Sequence, residues 1–177
     1  MVKLTVVFLF ILSIGSFVSI SADELPLKDQ ARGKPEKTLA GINLERSRIS
    51  DVVKLYGKPS RVSTDPKPNL NVVETQHYYW IKGSTTLHVG VYGEYMGFIK
   101  VQGPPSSRQI VRTGKGLKIG DDLADVRRIY GPRYKVRNIP KLKIHDVMIQ
   151  WRTKMYTLGA EFDEKGRIKS LSLVAPE

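Results

Sequence analysis

The chain has 177 residues, 41% of them hydrophobic and 26% charged, with 29 lysines and arginines against 17 acids and a formal net charge of +12. It contains no cysteine, which excludes disulfides and a lipid-modified N-terminal cysteine and leaves packing to supply stability. The basic balance favours anionic partners and governs encounter and solubility rather than fold.

Met1 to Lys3 is short and basic, Leu4 to Ile20 carries no charge, and small residues follow at Ser21 and Ala22. This pattern predicts a signal peptide over residues 1–22, cleaved on export, and a periplasmic or secreted location. A retained N-terminal membrane anchor is the alternative, because the uncharged run meets the lower limit of about 17–25 residues for crossing a bilayer. Cleavage removes Lys3 and no acid, so 28 basic residues (29 less 1) would face 17 acids, a net +11. Export argues against nucleic acid as the partner and leaves an anionic lipid, an acidic glycan or an acidic protein.

Residues 23–38 lack apolar periodicity and read as a flexible leader. A first helix follows, with Ser47 as its cap, Ile49, Val52, Val53 and Tyr56 on one stripe, and Gly57 and Pro59 closing it. After a long loop, Thr64 to Asn71, alternation sets in: Gln76, Tyr78 and Trp80 share one side of a strand, and Leu87, Val89 and Val91 one side of the next. Turns are expected at Ile81 to Ser84 and at Tyr92 to Gly97, before the strand that opens "GFIK". The segment "GPPSSRQ" from Gly103 is a hinge. Beyond it, Asp121 or Asp122 caps a second helix striped by Leu123, Val126 and Tyr130 and ended by Gly131 and Pro132. Val147, Ile149 and Trp151, then Leu158, Ala160 and Phe162, mark two more strands with one buried side, and "DEKG" turns the chain into "GRIK".

These elements come twice. "ISDVVKLYGKP" from Ile49 answers "LADVRRIYGP" from Leu123; Trp80 answers Trp151, Thr86-Leu87 answers Thr157-Leu158, and Gly97 to Lys100 answers Gly166 to Lys169. Self-similarity of this kind identifies the structural unit. The predicted fold class is α+β: two tandem repeats, each with one or two short helices packed on a 3–4-stranded antiparallel sheet, the two forming one continuous sheet. The predicted divisions are repeat 1 at 39–103, a linker at 104–114 and repeat 2 at 115–175. Halves of about 60–65 residues are marginal alone, so the copies should pack together.

The stretch "GLKIGDDLADVRRIYGPRYKV" resembles the opening of the small helix-plus-sheet domains shared by the outer-membrane assembly lipoproteins of the SmpA/OmlA (BamE-like) group and the β-lactamase inhibitor proteins. Gly120, Val126, Gly131 and Pro132 match that pattern, as do Val52, Gly57 and Pro59 in the first copy. The resemblance implies a protein-binding sheet. The chain departs from the lipoproteins in lacking an N-terminal cysteine and from the inhibitors in lacking the disulfides the resemblance implies for them, so no functional residue is carried over.

Signals for catalysis are sparse. His77, His88 and His145 are the good neutral-pH bases or metal ligands available. His77 and His88 can face the same way on neighbouring strands, but spacing places no third ligand, and no metal or cofactor is predicted. Gly-x-Ser-x-Gly is absent, Asp121, Asp122 and Asp125 are explained by helix capping, and "GKGLKIG" lacks the context of a phosphate loop. A hydrolase built on His77 or His88 would need a cleft, a perturbed histidine and a positioned acid.

Two surfaces stand out for binding. Arg127, Arg128, Arg133, Lys135, Arg137, Lys141 and Lys143 fall within a stretch of seventeen residues free of acids, either a solvated helix end and strand edge or an anion-docking patch. The interleaved Tyr130 and Tyr134 read as core. By strand parity the sheet face opposite the helices carries His77, Tyr79, His88, Tyr92, Phe98, Lys100, Met148, Gln150, Arg152 and Lys169, residue types enriched at interface centres. The expected function is an exported, non-enzymatic binding protein that grips a protein partner on this face, as an envelope assembly or scaffold factor. The alternatives are an inhibitor of a secreted enzyme, a binder of anionic lipid or glycan, or a hydrolase.

Overall fold

The structure, a computed structural model, describes residues 30–31, 33–65, 74–104, 111–139, 144–151 and 156–175, with backbone alone for 137–139 and 144–145. Two short helices are present among the described residues, α1 (Ile49–Tyr56) and α2 (Leu123–Tyr130). Each carries one fully buried valine, Val52 or Val126, on its apolar stripe. Gly57 and Gly131 close them at φ 80° and 82°, a region that costs glycine little, and each donates its N–H back into its helix.

The helix starts differ from one another. Asp122 is the N-cap of α2: its carboxylate accepts from the Ala124 and Asp125 N–H groups while Asp125 accepts from the Asp122 N–H, a reciprocal capping box. In α1 the N-cap is Arg48 rather than Ser47, and Asp51 accepts its N–H at 2.9 Å. The Ser47 hydroxyl is engaged one turn earlier, where it accepts from the Asn43 N–H. Asp51 and Asp125 are both held below the usual carboxylate range, the first chiefly by the Arg48 N–H and the second chiefly by the Arg128 guanidinium.

Strands β1 (Thr38–Leu39) and β2 (Ile42–Asn43) form a two-stranded ribbon before α1. The remaining strands are β3 (Arg61–Thr64), β4 (Thr75–Lys82), β5 (Thr85–Tyr92), β6 (Tyr95–Gln102), β7 (Lys135–Ile139), β8 (Ile144–Gln150), β9 (Thr157–Phe162) and β10 (Ile168–Val174). They form one antiparallel sheet of eight strands in the order β3-β4-β5-β6-β10-β9-β8-β7. Each helix is thus followed by a meander whose last strand lies at the centre, where Ile99 pairs with Leu173 and Val101 with Leu171.

One face of the sheet is the core. Trp80, Leu87, Val89, Ile99, Val101, Leu171, Leu173, Leu158, Val147 and Ile149 are buried there with Val52, Val126, Leu39, Ile42 and Leu117. Tyrosine and tryptophan pair at the foot of each helix: Tyr56 lies 6.4 Å from Trp80, whose indole N–H donates to the Gly57 carbonyl, and Tyr130 meets Trp151 edge-on at 5.9 Å. Tyr56 donates its hydroxyl to the Ala40 carbonyl and Tyr130 contacts Glu36 and Thr113; burial raises the pKa of both phenols. Gln76, expected on the buried side of β4, is exposed, because it sits at the outer end of that strand beside edge strand β3.

Candidate functional site: the sheet face away from the helices

Antiparallel registry puts directly paired residues on the same face of a sheet. With Val89, Ile99 and Leu173 committed to the core, the opposite face carries a row that crosses all eight strands: Arg61, Tyr79, His88, Lys100, Ser172, Gly159, Met148 and Lys135. Beside it runs a second row: Ser63, His77, Gly90, Phe98, Val174, Thr157 and Gln150. The β3–β6 side of this face is aromatic and cationic, and the β9–β10 side is lined by small residues.

The aromatic side is a packed cluster. Gly90 matters because a β-carbon there would come within 2.0 Å of the Phe98 ring; its absence lets the ring lie across β5. Phe98 then meets His88 edge-on at 4.7 Å and His77 at 5.9 Å. Tyr79 stacks on His88 at 4.2 Å and 15°, and the Arg61 guanidinium covers the Tyr79 ring at 4.3 Å. His77 Nδ1 lies 3.0 Å from His88 Nε2, and His77 Nε2 lies 2.9 Å from the Asp65 carboxylate. Lys100 reaches across β10 to donate to Glu161 on β9 at 3.0 Å.

His77 and His88 are only 6% and 8% exposed. Burial first, then the positive neighbourhood of His77, Lys100 and Arg61, holds His88 down to about 4 against an ordinary 6.5. Between those values the unfolded chain binds a proton that the folded chain refuses, so stability is complete above pH 6.5 and falls as the pH drops toward 4. With an allowance for solvent screening at the open face, the expected loss across that window is about 1–2 kcal/mol. Urea unfolding at several pH values checks this, and His88→Gln should flatten the dependence.

Other residues expected on this face are placed as follows. Tyr92 is 43% exposed at the end of β5, its ring filling the space beside Gly97. Met148 and Gln150 belong to the face by registry but are 2% and 0% exposed, so they present no free area to a partner. Lys169 sits at the register shift in β10 between Ile168 and Ser170, and Arg152 lies outside the described residues.

The basic run is divided. Arg127 and Arg128 are exposed on α2, Arg128 paired with Asp125 at 2.7 Å, whereas Lys135 belongs to the row on the opposite side of the sheet. Arg133 is half-buried between them, Arg137 lies on β7, and Lys141 and Lys143 fall outside the described residues.

A hydrolase would need a cleft, a perturbed histidine and a positioned acid. Asp65 lies 2.9 Å from His77 and His88 is perturbed, and both rings stand on neighbouring strands of a sheet face. Among the described residues no three histidine, aspartate or glutamate side chains are gathered to hold a metal ion. Arg61, Asp65 and Glu161 escape strand-parity reasoning, because β3 is a polar edge strand and Glu161 meets Lys100 only through the pairing of β6, β10 and β9.

No family model matches the chain, and no curated protein matches it. Among solved structures it is similar to a cysteine-rich secretory protein from Staphylococcus aureus, at 13% identity and TM-score 0.49, over 73% of this chain and 44% of that one. It is also similar to a DUF4309 family protein from Bacillus subtilis, at 20% identity and TM-score 0.47, over 76% and 82% of the two chains. A proposed β-lactamase inhibitor protein from Streptococcus mutans is a further similar structure, at 17% identity and TM-score 0.34, over 74% and 84%. The chain therefore spans less than half of the first of these proteins.

Proposed function

We propose that the chain is an exported, non-enzymatic binding protein made of two tandem helix-plus-meander repeats, and that it holds an acidic protein partner on the sheet face away from its helices. The carrying observation is the row Arg61, Tyr79, His88 and Lys100, where cationic and aromatic side chains are fixed by mutual stacking on a sheet face. Preordered aromatic and arginine side chains lose little freedom on contact, which suits them to carry binding energy. The repeat reading is supported by the strand order, which counted from each helix runs inward the same way from both edges. An envelope assembly or scaffold role fits this arrangement, and inhibition of a secreted enzyme would use the same face.

The test is capture from an envelope or secreted fraction by the chain lacking residues 1–22, beside an Arg61→Ala/Tyr79→Ala/Tyr92→Ala variant shown to be folded by circular dichroism. One acidic protein held by the parent and bound at least about tenfold more weakly by the variant supports the reading. Equal retention of an anionic lipid or glycan by both, released by salt, would transfer the site to the exposed arginines of α2.

A further inference from the structure

His77 and His88 are linked in a way that limits how many protons this face can accept. The Asp65 carboxylate lies 2.9 Å from His77 Nε2, within ion-pair distance of that ring when it is protonated. With both rings neutral, one of them supplies the hydrogen held between His77 Nδ1 and His88 Nε2 at 3.0 Å. One added proton can be absorbed without moving either ring. The cationic ring then donates across the contact, and the neutral ring accepts it with its own hydrogen on its other nitrogen. A second added proton cannot be absorbed, because two N–H groups on two cationic rings would then face each other across 3.0 Å in a buried setting.

We propose that this pair is a proton gate: it tolerates one added proton, and the second drives the two rings apart and dismantles the stack of Tyr79, His88 and Phe98. Charged and titratable groups face the pair from the neighbouring strands. Asp65, just beyond β3, is the acid beside His77. Arg61 on β3 and Lys100 on β6 oppose a proton on His88, and Glu161 on β9 pairs with Lys100. Tyr79 on β4 contributes its stacked ring. The depressed affinity of His88 for a proton agrees with this opposition.

The gate is a property of the chain alone. Its consequence, loss of the binding face in acid, rests on the function proposed above. The decisive experiment follows the histidine ring nitrogens by NMR in the chain lacking residues 1–22, from about pH 8 to about pH 3, with the Tyr79 and Phe98 ring signals and the Trp80 and Trp151 indoles recorded together. The expected result is two steps from the pair, separated by at least about tenfold in proton affinity, with Tyr79 and Phe98 moving on the second while the indoles on the opposite face hold still. Independent titration of both rings near the ordinary histidine value, with Tyr79 and Phe98 unmoved, overturns the gate. In His88→Gln the amide can still donate to His77 Nδ1 but has no second proton to take, so the movement of Tyr79 and Phe98 should vanish. If the movement persists in that variant, the gate is also overturned, and if the variant does not fold, the parent titration decides alone. A gate seen in the parent with partner affinity indifferent to acid would refute the binding face and leave the gate standing.

Discussion

Trp151→Ala should lower the stability of the folded chain by about 3–5 kcal/mol, the range for truncating a fully buried tryptophan. The side chain is 1% exposed and lies where three parts of the chain meet. Its backbone follows β8 and forms a parallel bridge with Ala31, whose N–H donates to the Gln150 carbonyl at 2.7 Å. Its ring receives the edge of Tyr130 from the last turn of α2, and the Lys115 ammonium stands 5.5 Å from its centre. Alanine would leave a void beneath α2 that neither a strand nor a helix of eight residues can collapse into, so the cavity penalty adds to the lost transfer energy. For a chain of this size each kcal/mol moves the midpoint by about 2–4 °C, so thermal unfolding should begin roughly 10–15 °C lower. A loss below about 1 kcal/mol would mean that α2 does not depend on this contact for its place on the sheet.

Much of the architecture was legible because local chemistry and tertiary packing agree. Val52 and Val126 fall on the predicted stripes, the glycine after each helix adopts positive φ, and alternation separates Leu87, Val89 and Val91 from their neighbours. Where a polar segment is paired by its neighbours, alternation carries no signal. Strand β3, "RVST", is mostly exposed and is held by β4, so Arg61 and the adjoining Asp65 enter the site unannounced. The histidine pair was half legible. Parity places His77 and His88 on one face, but their 3.0 Å contact depends on the register of the β4–β5 hairpin, in which Lys82 pairs with Thr85 and His77 with Gly90. Met148 and Gln150 show the opposite failure: parity assigns a side of the sheet, and only packing decides exposure. Ser47 was the natural cap by residue type, yet its hydroxyl satisfies the turn before α1, and Asp51 serves the Arg48 amide instead.

Glu36→Gln is the second substitution with a large expected cost, about 2–4 kcal/mol, for a change of one atom. Glu36 lies in the stretch read from sequence as leader, yet it is 4% exposed and its carboxylate accepts four hydrogen bonds. The Lys37 and Thr38 N–H groups donate to Oε1 at 3.0 and 3.1 Å, and the Lys115 N–H and Tyr130 hydroxyl donate to Oε2 at 3.0 and 2.8 Å. Gly114 makes room for it, since a β-carbon there would stand 2.9 Å from Oε1. A carboxylate offers about four acceptor positions, and all are in use; glutamine keeps those of one oxygen and turns a donor toward the other two partners. Turned one way, the amide leaves the Lys37 and Thr38 N–H groups without that acceptor; turned the other, it leaves the Lys115 N–H without one, while the Tyr130 hydroxyl can accept from the amide and donate to Thr113 at 2.7 Å. The damage should be local in a diagnostic way, because the four bonds tie the approach to β1, the turn at Lys115 and the end of α2 to one another. Amide exchange at Lys37, Thr38 and Lys115 should accelerate while β5 and β6 stay protected. A cost below about 1 kcal/mol with unchanged exchange would show that the approach to β1 holds its place by backbone pairing alone, through the Gly114 N–H on the Thr38 carbonyl and the Ala40 N–H on the Arg112 carbonyl.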